Sequence, residues 1–283
     1  MKPVVVSTET PLRDAVAAAR RQGKTIGFVP TMGALHPGHV SLINAARAAD
    51  GFVVASIFVN PTQFGPKEDL ARYPRPLERD LEMCAAAGAD LVFTPEPATM
   101  YPPGFQTSIN VSELSTVLEG ATRPGHFQGV ATVVLKLFNL VQPDRAYFGQ
   151  KDAQQLRVVQ QMLRDLNAPV EVVVQPTVRE PDGLALSSRN KHLDADQRRE
   201  AVVLNRALEE AEAAIRAGER DAAVIERRMA DRIAATPGAV LDYAAAVDAE
   251  TLKPVTSLRG TVLLALAVTF GATRLIDNRV VQC

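Results

Sequence analysis

The chain has 283 residues, of which 47% are hydrophobic and 22% charged, and its formal net charge is −1. This length and composition predict a globular protein of one large or two ordinary domains with an ample core. The near-neutral charge, with no basic run longer than two residues, argues against a broad nucleic-acid surface and gives no electrostatic reason to bind an anionic membrane. We therefore expect neither nucleic acid nor membrane as a partner.

The cysteines and the first residues bear on the compartment. Cys84 and Cys283 cannot build a disulfide framework, and neither lies in a motif that would make it a nucleophile. The apolar stretch near the start, 4–6, is too short for a secretion signal, and the most apolar segment, 262–268, is too short to cross a bilayer. The expected location is a reducing cytoplasm.

The first half of the chain alternates helical and strand patterns. The predicted elements, in chain order, are a helix around 12–19, a strand at 25–29, a helix after His39, an almost continuously apolar strand at 52–59, a helix near 78–87, a strand at 90–93, a proline-rich passage at 95–103, a helix from about 130, a strand at 145–148, a helix at 153–166 and a strand at 170–174. Such alternation predicts an α/β fold with a doubly wound, Rossmann-like parallel sheet. Its ligand crevice is expected at the carboxyl ends of the strands.

The pattern changes beyond Gln175. The predicted elements there are helices at 201–215 and 225–233, an alternating strand at 241–247, and two more apolar segments, one after Thr261 and one at 273–276. We therefore predict two domains. Residues 1–177 form the nucleotide-binding catalytic domain, and residues 178–283 form a smaller α+β domain that acts as a lid.

The most informative segment joins the strand at 25–29 to the next helix and reads Pro30-Thr31-Met32-Gly33-Ala34-Leu35-His36-Pro37-Gly38-His39. Unpaired backbone N–H groups and the dipole at a helix N-terminus attract phosphate, and glycine lets a ligand approach closely. His36 and His39 add titratable groups at the same place. The segment predicts a nucleotide-phosphate site. A structural turn is the alternative, because His-x-Gly-His is a short pattern.

Polar residues also follow the other strands of the predicted sheet. They are found at 60–65, at 149–155, and at 186–190 beyond Val178. Because strand ends converge at one edge of a doubly wound sheet, we expect all of these segments to face a single crevice.

Each of these segments has a functional and a structural interpretation. Gln63 offers a neutral amide for a hydroxyl or carboxylate, Lys151 a point charge for phosphate, and Asp152 an acceptor for ribose hydroxyls. Two hydroxyls and a guanidinium at 187–189 suit a triphosphate and its leaving pyrophosphate. Ordinary turns and a solvated helix start are the alternatives.

These motifs together make the chain resemble the pantothenate synthetases, the pantoate–β-alanine ligase family of the nucleotidyltransferase superfamily. The resemblance covers essentially the full length. It rests on 30–33 with 36–39, on 58–64, on Glu68-Asp69 with Tyr73-Pro74, on 123–127, on 148–152 with Gln155, and on 187–190. Leu186 stands where the family often has methionine, which is an apolar exchange of similar volume.

The resemblance implies that ATP activates pantoate as pantoyl adenylate with release of pyrophosphate, and that the amine of β-alanine then displaces AMP to give pantothenate. It implies that His39 has the proton-donor role, with His36 beside the phosphates and Lys151 also catalytic. Gln63 and Gln155 would hold pantoate, and Gln63 would also meet β-alanine. The implied ATP-binding residues are Pro30, Thr31, Met32, Gly33, Ala34, Leu35, Pro37, Gly38, Gly149, Gln150, Asp152, Val178, Leu186, Ser187, Ser188 and Arg189.

The family also implies a homodimer. The acidic residues show no metal-ligand spacing, so no protein metal site is predicted, and Mg²⁺ would enter on the nucleotide phosphates. Whether Asn60, Tyr73, Arg123 and His126 contact ligand or only brace the walls stays open.

Other functions fit part of the pattern. A nucleotidyltransferase of phosphorylated precursors would share the His-x-Gly-His segment but would want basic residues where Gln63 and Gln155 stand. A non-catalytic nucleotide-binding module would need the phosphate site but no second, amide-lined pocket. A tRNA-charging role is disfavoured by the charge balance and by the lack of an anticodon-reading extension.

Overall fold

A computed structural model describes residues 2–65 and 70–283 of the chain. The motif residues Glu68 and Asp69 therefore lie outside the described residues. The chain divides into two compact units: the first runs to Gly149 and resumes at Gln154–Pro176, and the second comprises Gln150–Ala153 and Thr177–Cys283. The short segment Gln150–Ala153 is thus grouped with the second unit, and the domain boundary at 177/178 stays a prediction.

The first unit is built from parallel strands and the helices that connect them. Its strands are β1 (Val4–Val6), β2 (Ile26–Thr31), β3 (Phe52–Ile57), β4 (Leu91–Phe93), β5 (Arg145–Gly149) and β6 (Glu171–Gln175). Its helices are α1 (Glu9–Arg21), α2 (Pro37–Ala49), α3 (Leu77–Ala86), α4 (Pro97–Met100), α5 (Glu119–Thr122), α6 (His126–Val141) and α7 (Ala153–Asp165), whose first residue groups with the second unit.

The six strands form one sheet in the order β1-β4-β3-β2-β5-β6, and every neighbouring pair is parallel. This confirms the predicted doubly wound sheet. The strand order reverses between β2 and β5, which pair directly through Gly27 with Arg145 and Phe28 with Ala146. In open α/β sheets, ligands bind outside the carboxyl ends of the strands at such a switch point. Thr31 and Gly149, the last residues of β2 and β5, flank it.

The central strands are buried because helices cover both faces of the sheet. Ile26 to Val29 of β2 and Val53 to Ala55 of β3 are buried throughout, as the continuous apolar pattern predicted. The edge strand β1 was not predicted. It has only three residues, with Val4 59% and Val5 46% exposed, so its local pattern is too short to indicate a strand, and its pairing with β4 makes it one.

The second unit is a separate α+β structure. Its strands β7 (Ala239–Asp248), β8 (Thr261–Phe270) and β9 (Thr273–Gln282) form an antiparallel sheet, and its helices are α8 (Ala195–Glu200), α9 (Val203–Arg216) and α10 (Ala222–Ala234). Apolar side chains of α9, α10 and β8 form its core. The predicted α+β class is confirmed, while β9 extends six residues beyond the predicted 273–276. Within the described ranges, no helix is both long and apolar enough to span a membrane.

The buried thiol of Cys84 in α3 gives the first unit a pH-dependent stability. Burial, and secondarily the charge of Asp80, raises the pKa of Cys84 from its ordinary value of 9.0 to about 12. The pKa of Cys84 is higher in the folded than in the unfolded protein. The contribution of the protonated thiol to the free energy of unfolding is therefore complete below the unfolded-state pKa and is lost as the pH rises through the folded-state pKa. Cys84→Ala should therefore lose less stability than the wild type as the pH rises from about 8 to about 10.5.

Urea denaturation across this pH range measures the difference. Cys283→Ala is the matched control, because Cys283 is only partly buried. Burial raises the pKa of Cys283, and the charge of Arg220 opposes this increase. Identical pH slopes for wild type and Cys84→Ala would contradict the prediction.

Candidate active site

The turn after β2, residues 32–35, has an unusual backbone, and we call it the β2 turn. The φ angle is +79° at Gly33 and +50° at Ala34, both in the left-handed region. A Cβ on Gly33 would lie 2.9 Å from Oδ2 of Asp80, so this position requires glycine. Thr31 supports the turn: its hydroxyl donates to the carbonyl of Ser56 at 2.7 Å and accepts from the N–H of Gly33 at 3.1 Å.

Asp80 of α3 holds the same turn from the other side. Its Oδ2 accepts from the N–H of Ala34 and its Oδ1 from the N–H of Leu35, both at 2.8 Å. The residue is only 1% exposed. A buried carboxylate is costly unless it is hydrogen-bonded, and here both oxygens make charge-assisted bonds to consecutive backbone amides. Asp80 therefore fixes the path of the chain immediately before His36.

The two histidines lie side by side at the start of α2. His36 is the N-cap, and its Nδ1 accepts from the N–H of Gly38 at 3.2 Å. Since Nδ1 is an acceptor, the hydrogen-bond network assigns the proton of a neutral His36 to Nε2, which is a donor. The ring centroids of His36 and His39 are 4.1 Å apart. Both imidazoles thus lie at the positive end of the helix dipole.

The way this segment can attract phosphate differs from the sequence expectation. Unpaired backbone N–H groups were expected, but those of 33, 34, 35 and 38 all donate to protein side chains. The features that favour an anion here are consequently the imidazoles and the dipole of α2.

Gln63 follows β3 and lies against the β2 turn. The residue is 7% exposed; its Oε1 accepts from Nδ2 of Asn60 at 3.1 Å, and its Nε2 donates to Sδ of Met32 at 2.9 Å. Its backbone carbonyl accepts from Nδ1 of His126 at 2.8 Å, and Nε2 of His126 lies 3.1 Å from the Arg123 guanidinium. In this structure Asn60, Arg123 and His126 therefore brace Gln63.

In the second unit, the segment that carries Lys151 is held by Asn278 of β9. Nδ2 of Asn278 donates to the carbonyls of Gln150 at 3.1 Å and Lys151 at 2.8 Å, while its Oδ1 accepts from Nε2 of Gln150 at 3.1 Å. Nζ of Lys151 lies 3.5 Å from Oδ1 of Asp152. Asn278 thus fixes the backbone of this turn by hydrogen bonds, while the Lys151 side chain remains partly exposed.

The remaining predicted ATP-binding residues form a second group in the same unit. The N–H of Leu186 donates to the carbonyl of Val178 at 3.0 Å, so these two positions are adjacent. Ser187 caps the following 3₁₀ turn, Ser188–His192, by accepting from the N–H of Arg189 at 3.2 Å. The Ser187 hydroxyl thus has a structural role in addition to the predicted one.

The predicted site residues of the first unit follow three neighbouring strands. The β2 turn and Gln63 are in direct contact, Gly149 ends β5, and Gln155 is half-buried on α7. Tyr73 packs its ring edge-on against Phe64 at 5.9 Å between centroids.

Sequence reasoning missed Asp80 and Asn278. The available signal for Asp80 is that it stands one helical turn before the buried Cys84, hence on the buried face of α3. Asn278 has no comparable signal, because its role depends on a segment 127 residues away.

A doubly wound parallel sheet with two imidazoles after a strand at its switch point is typical of the nucleotide-binding α/β class of proteins. A family model described as pantoate-beta-alanine ligase matches residues 4–280. A pantothenate synthetase of Moorella thermoacetica is 59% identical over 278 residues, 98% of each chain, and one of Agrobacterium fabrum is 56% identical over 98% of this chain and 95% of its own.

Solved structures agree with this match. The crystal structure of pantothenate synthetase from Thermus thermophilus has a TM-score of 0.93 at 51% identity, covering 98% of each chain. That of pantoate-beta-alanine ligase from Francisella tularensis, complexed with beta-gamma ATP and beta-alanine, has a TM-score of 0.80 at 34% identity, covering 98% of this chain and 97% of its own.

The chain belongs to the pantoate–β-alanine ligase family, as the sequence resemblance predicted. It is an enzyme of the ligase class. The reaction of the family condenses pantoate with β-alanine through a pantoyl adenylate.

Asp80→Asn tests the role of the buried carboxylate in the site. The substitution keeps the side-chain shape but turns one acceptor into an NH₂ group that faces a backbone N–H. We expect the displaced turn to lower kcat for AMP formation by about tenfold or more, because catalytic groups lose their alignment.

Asp50→Asn is the matched control. Asp50 is also buried, and it accepts from Arg145 and Tyr147 of β5 rather than from the turn. It should lower the unfolding temperature while leaving kcat within about twofold, since it touches no predicted site residue. A kcat for Asp80→Asn that equals that of Asp50→Asn would remove Asp80 from the site.

Proposed function

We propose that this chain condenses pantoate with β-alanine in two steps, with ATP as co-substrate. The pantoate carboxylate attacks the α-phosphate of ATP and pyrophosphate leaves, which gives pantoyl adenylate. The amine of β-alanine then attacks the activated carbonyl, and AMP leaves with formation of pantothenate. The observation that carries the proposal is the contact between Gln63 and the β2 turn, which sets a neutral amide beside the histidine-bearing segment.

The nucleotide is assigned to the segments that the resemblance implies. The β2 turn and the start of α2 receive the phosphates, supported by the paired imidazoles and the helix dipole. Gly149 to Asp152, Val178 and residues 186–189 complete the ATP site. The relative from Francisella tularensis, crystallised with beta-gamma ATP and beta-alanine, supports ATP and β-alanine as substrates.

Negative charge develops on the leaving pyrophosphate in the first step. Four side chains stabilise this charge, namely His36, His39, Lys151 and Arg189. An ammonium acts as a point charge, and a guanidinium binds two oxygens at once. His39 has the proton-donor role. No covalent nucleophile is required, because alignment of the reactants and neutralisation of charge lower the barrier.

Pantoate is held by the amides of Gln63 and Gln155, and Gln63 also meets β-alanine. Neutral amides bind a hydroxyl and a carboxylate without adding a charge that would pair with the phosphates. The adenylate must be kept from water, and the second domain serves as the lid that excludes it.

Mg²⁺ enters on the nucleotide phosphates. Residues 2–65 and 70–283 contain no group of three His, Cys, Asp or Glu side chains arranged to hold a metal ion. Mg²⁺ commonly keeps its waters and binds through substrate phosphates with few protein ligands, which suits such a site.

The active form is a homodimer in the cytoplasm. The free thiols of Cys84 and Cys283 suit a reducing compartment. Sedimentation of the purified protein at equilibrium measures the dimer directly.

Incubation with ATP, pantoate and β-alanine tests the proposed reaction. AMP should appear in a one-to-one ratio with pantothenate, and omission of pantoate should abolish AMP formation. An enzyme that loads phosphorylated precursors would instead release pyrophosphate and retain AMP in its product. A nucleotide-binding module would release neither.

Lys151→Ala should lower turnover by about two to three orders of magnitude, similar to the loss of one preorganised donor to a developing charge. Single-turnover formation of pantoyl adenylate, measured by rapid quench, locates the loss in the first step. Lys24→Ala is the matched control, because Lys24 is exposed and precedes the amino end of β2. Adenylate formation at the wild-type rate in Lys151→Ala would remove Lys151 from the chemistry.

A further inference from the structure

A chain of hydrogen bonds leads from Tyr101 through two amides to the β2 turn. Oδ1 of Asn60 accepts from the Tyr101 hydroxyl at 2.7 Å, from the N–H of Thr62 at 3.3 Å and from the Thr62 hydroxyl at 3.0 Å. Three donors around one atom identify it as the amide oxygen. The orientation of the Asn60 amide is therefore set by these partners.

The other end of the Asn60 amide faces two acceptors. Its Nδ2 donates to Oε1 of Gln63 at 3.1 Å and to the carbonyl of Gly129 at 3.2 Å. The approach of α6 depends on Gly129, where a Cβ would lie 2.4 Å from the carbonyl oxygen of Thr62. Oε1 of Gln63 is thus occupied by a donor, which fixes the orientation of the second amide as well.

Among the residues that the structure describes, the NH₂ end of Gln63 has only a weak hydrogen-bond partner. Its Nε2 donates to the thioether sulfur of Met32 at 2.9 Å. A thioether is a poor acceptor, so a carboxylate or hydroxyl oxygen of a ligand would replace it with a gain in hydrogen-bond strength.

We infer that Tyr101 is a positioning residue for the reaction: acting through Asn60, its hydroxyl holds the Gln63 amide so that the NH₂ group, and not the carbonyl oxygen, is presented to the small-acid substrate. The inference rests on the proposed function, in which that acid is pantoate. If the amide turned over, the carbonyl oxygen of Gln63 would face the oxygens of the acid, and two acceptors would meet.

The surroundings of Tyr101 suit this role. Its ring packs against Phe105 at 5.1 Å and Phe58 at 6.3 Å between centroids, so the ring is held independently of the hydroxyl. Burial raises the pKa of Tyr101, and the phenol therefore remains a proton donor at neutral and mildly alkaline pH.

Tyr101→Phe removes the donor and keeps the ring. The assay is the steady-state rate of pyrophosphate release at saturating β-alanine, because without β-alanine the adenylate, which is kept from water, would stay bound after a single turnover. The KM for pantoate should rise about fivefold, which corresponds to the loss of one hydrogen bond, while the KM for ATP stays within about twofold. Asn60→Asp should raise the KM for pantoate further, because two acceptor oxygens at residue 60 force Gln63 to turn its NH₂ group away from the acid.

Tyr147→Phe is the matched control. The Tyr147 hydroxyl is also a hydrogen-bond donor inside the first unit: it donates to Oδ2 of Asp50 at 2.6 Å, in a network that does not include Gln63. This variant should leave the KM for pantoate within about twofold even if its unfolding temperature falls.

The outcomes separate the two ideas. Wild-type protein that releases no pyrophosphate with ATP, pantoate and β-alanine overturns the proposed function and this inference with it. Active wild type with an unchanged KM for pantoate in Tyr101→Phe overturns the inference alone. Equal increases of the KM values for pantoate and for ATP in Tyr101→Phe also overturn the inference, because they indicate a general structural effect. An Asn60→Asp variant with the wild-type KM for pantoate overturns it as well.

Discussion

The predicted site residues in the first unit depend on one interaction. The Asp80 carboxylate accepts hydrogen bonds from two backbone N–H groups of the β2 turn. The turn passes through two consecutive left-handed residues, one of which is not glycine, and such a conformation persists only where the surroundings determine it. Two charge-assisted hydrogen bonds from a buried carboxylate provide that constraint. They also occupy the N–H groups that would otherwise be open to a ligand, which leaves the imidazoles and the helix dipole to meet an anion.

The same arrangement recurs at three of the predicted segments: a polar side chain from a distant part of the chain fixes the backbone or the amide of the segment. Asp80 holds the turn before His36, and Asn278 holds the turn that carries Lys151. Tyr101 and Asn60 orient Gln63. Because each of these supports is buried or half-buried, competition from water is limited, and the groups it positions keep their geometry.

Charge is distributed unevenly between the two kinds of substrate group in the proposed reaction. The phosphates are assigned to histidine, lysine and arginine, whereas the small acid is assigned to glutamines. A neutral amide can present either a donor or an acceptor, so its orientation must be fixed by the protein, while an ammonium has no such ambiguity. This is why the hydrogen-bond chain that ends at Gln63 matters for specificity, although none of its other members carries a formal charge at neutral pH.

The sequence by itself determined the sheet class, the elements with long apolar periodicity and the family. Parallel strands buried on both faces have continuous apolar patterns, and the motifs occur in one order along the chain. It also indicated that Met32 and Gln63 belong to one region, because both follow strands of the same sheet edge. Only the tertiary structure decided the rest. The strand β1 exists through its pairing with β4, the N–H groups near α2 are occupied by Asp80 and His36, and Asn278 is joined to Lys151 across the chain. The local sequence pattern indicates which face of a helix or strand is apolar. Hydrogen bonds between residues far apart in sequence produce no periodic pattern, so their partners are determined only when the chain has folded.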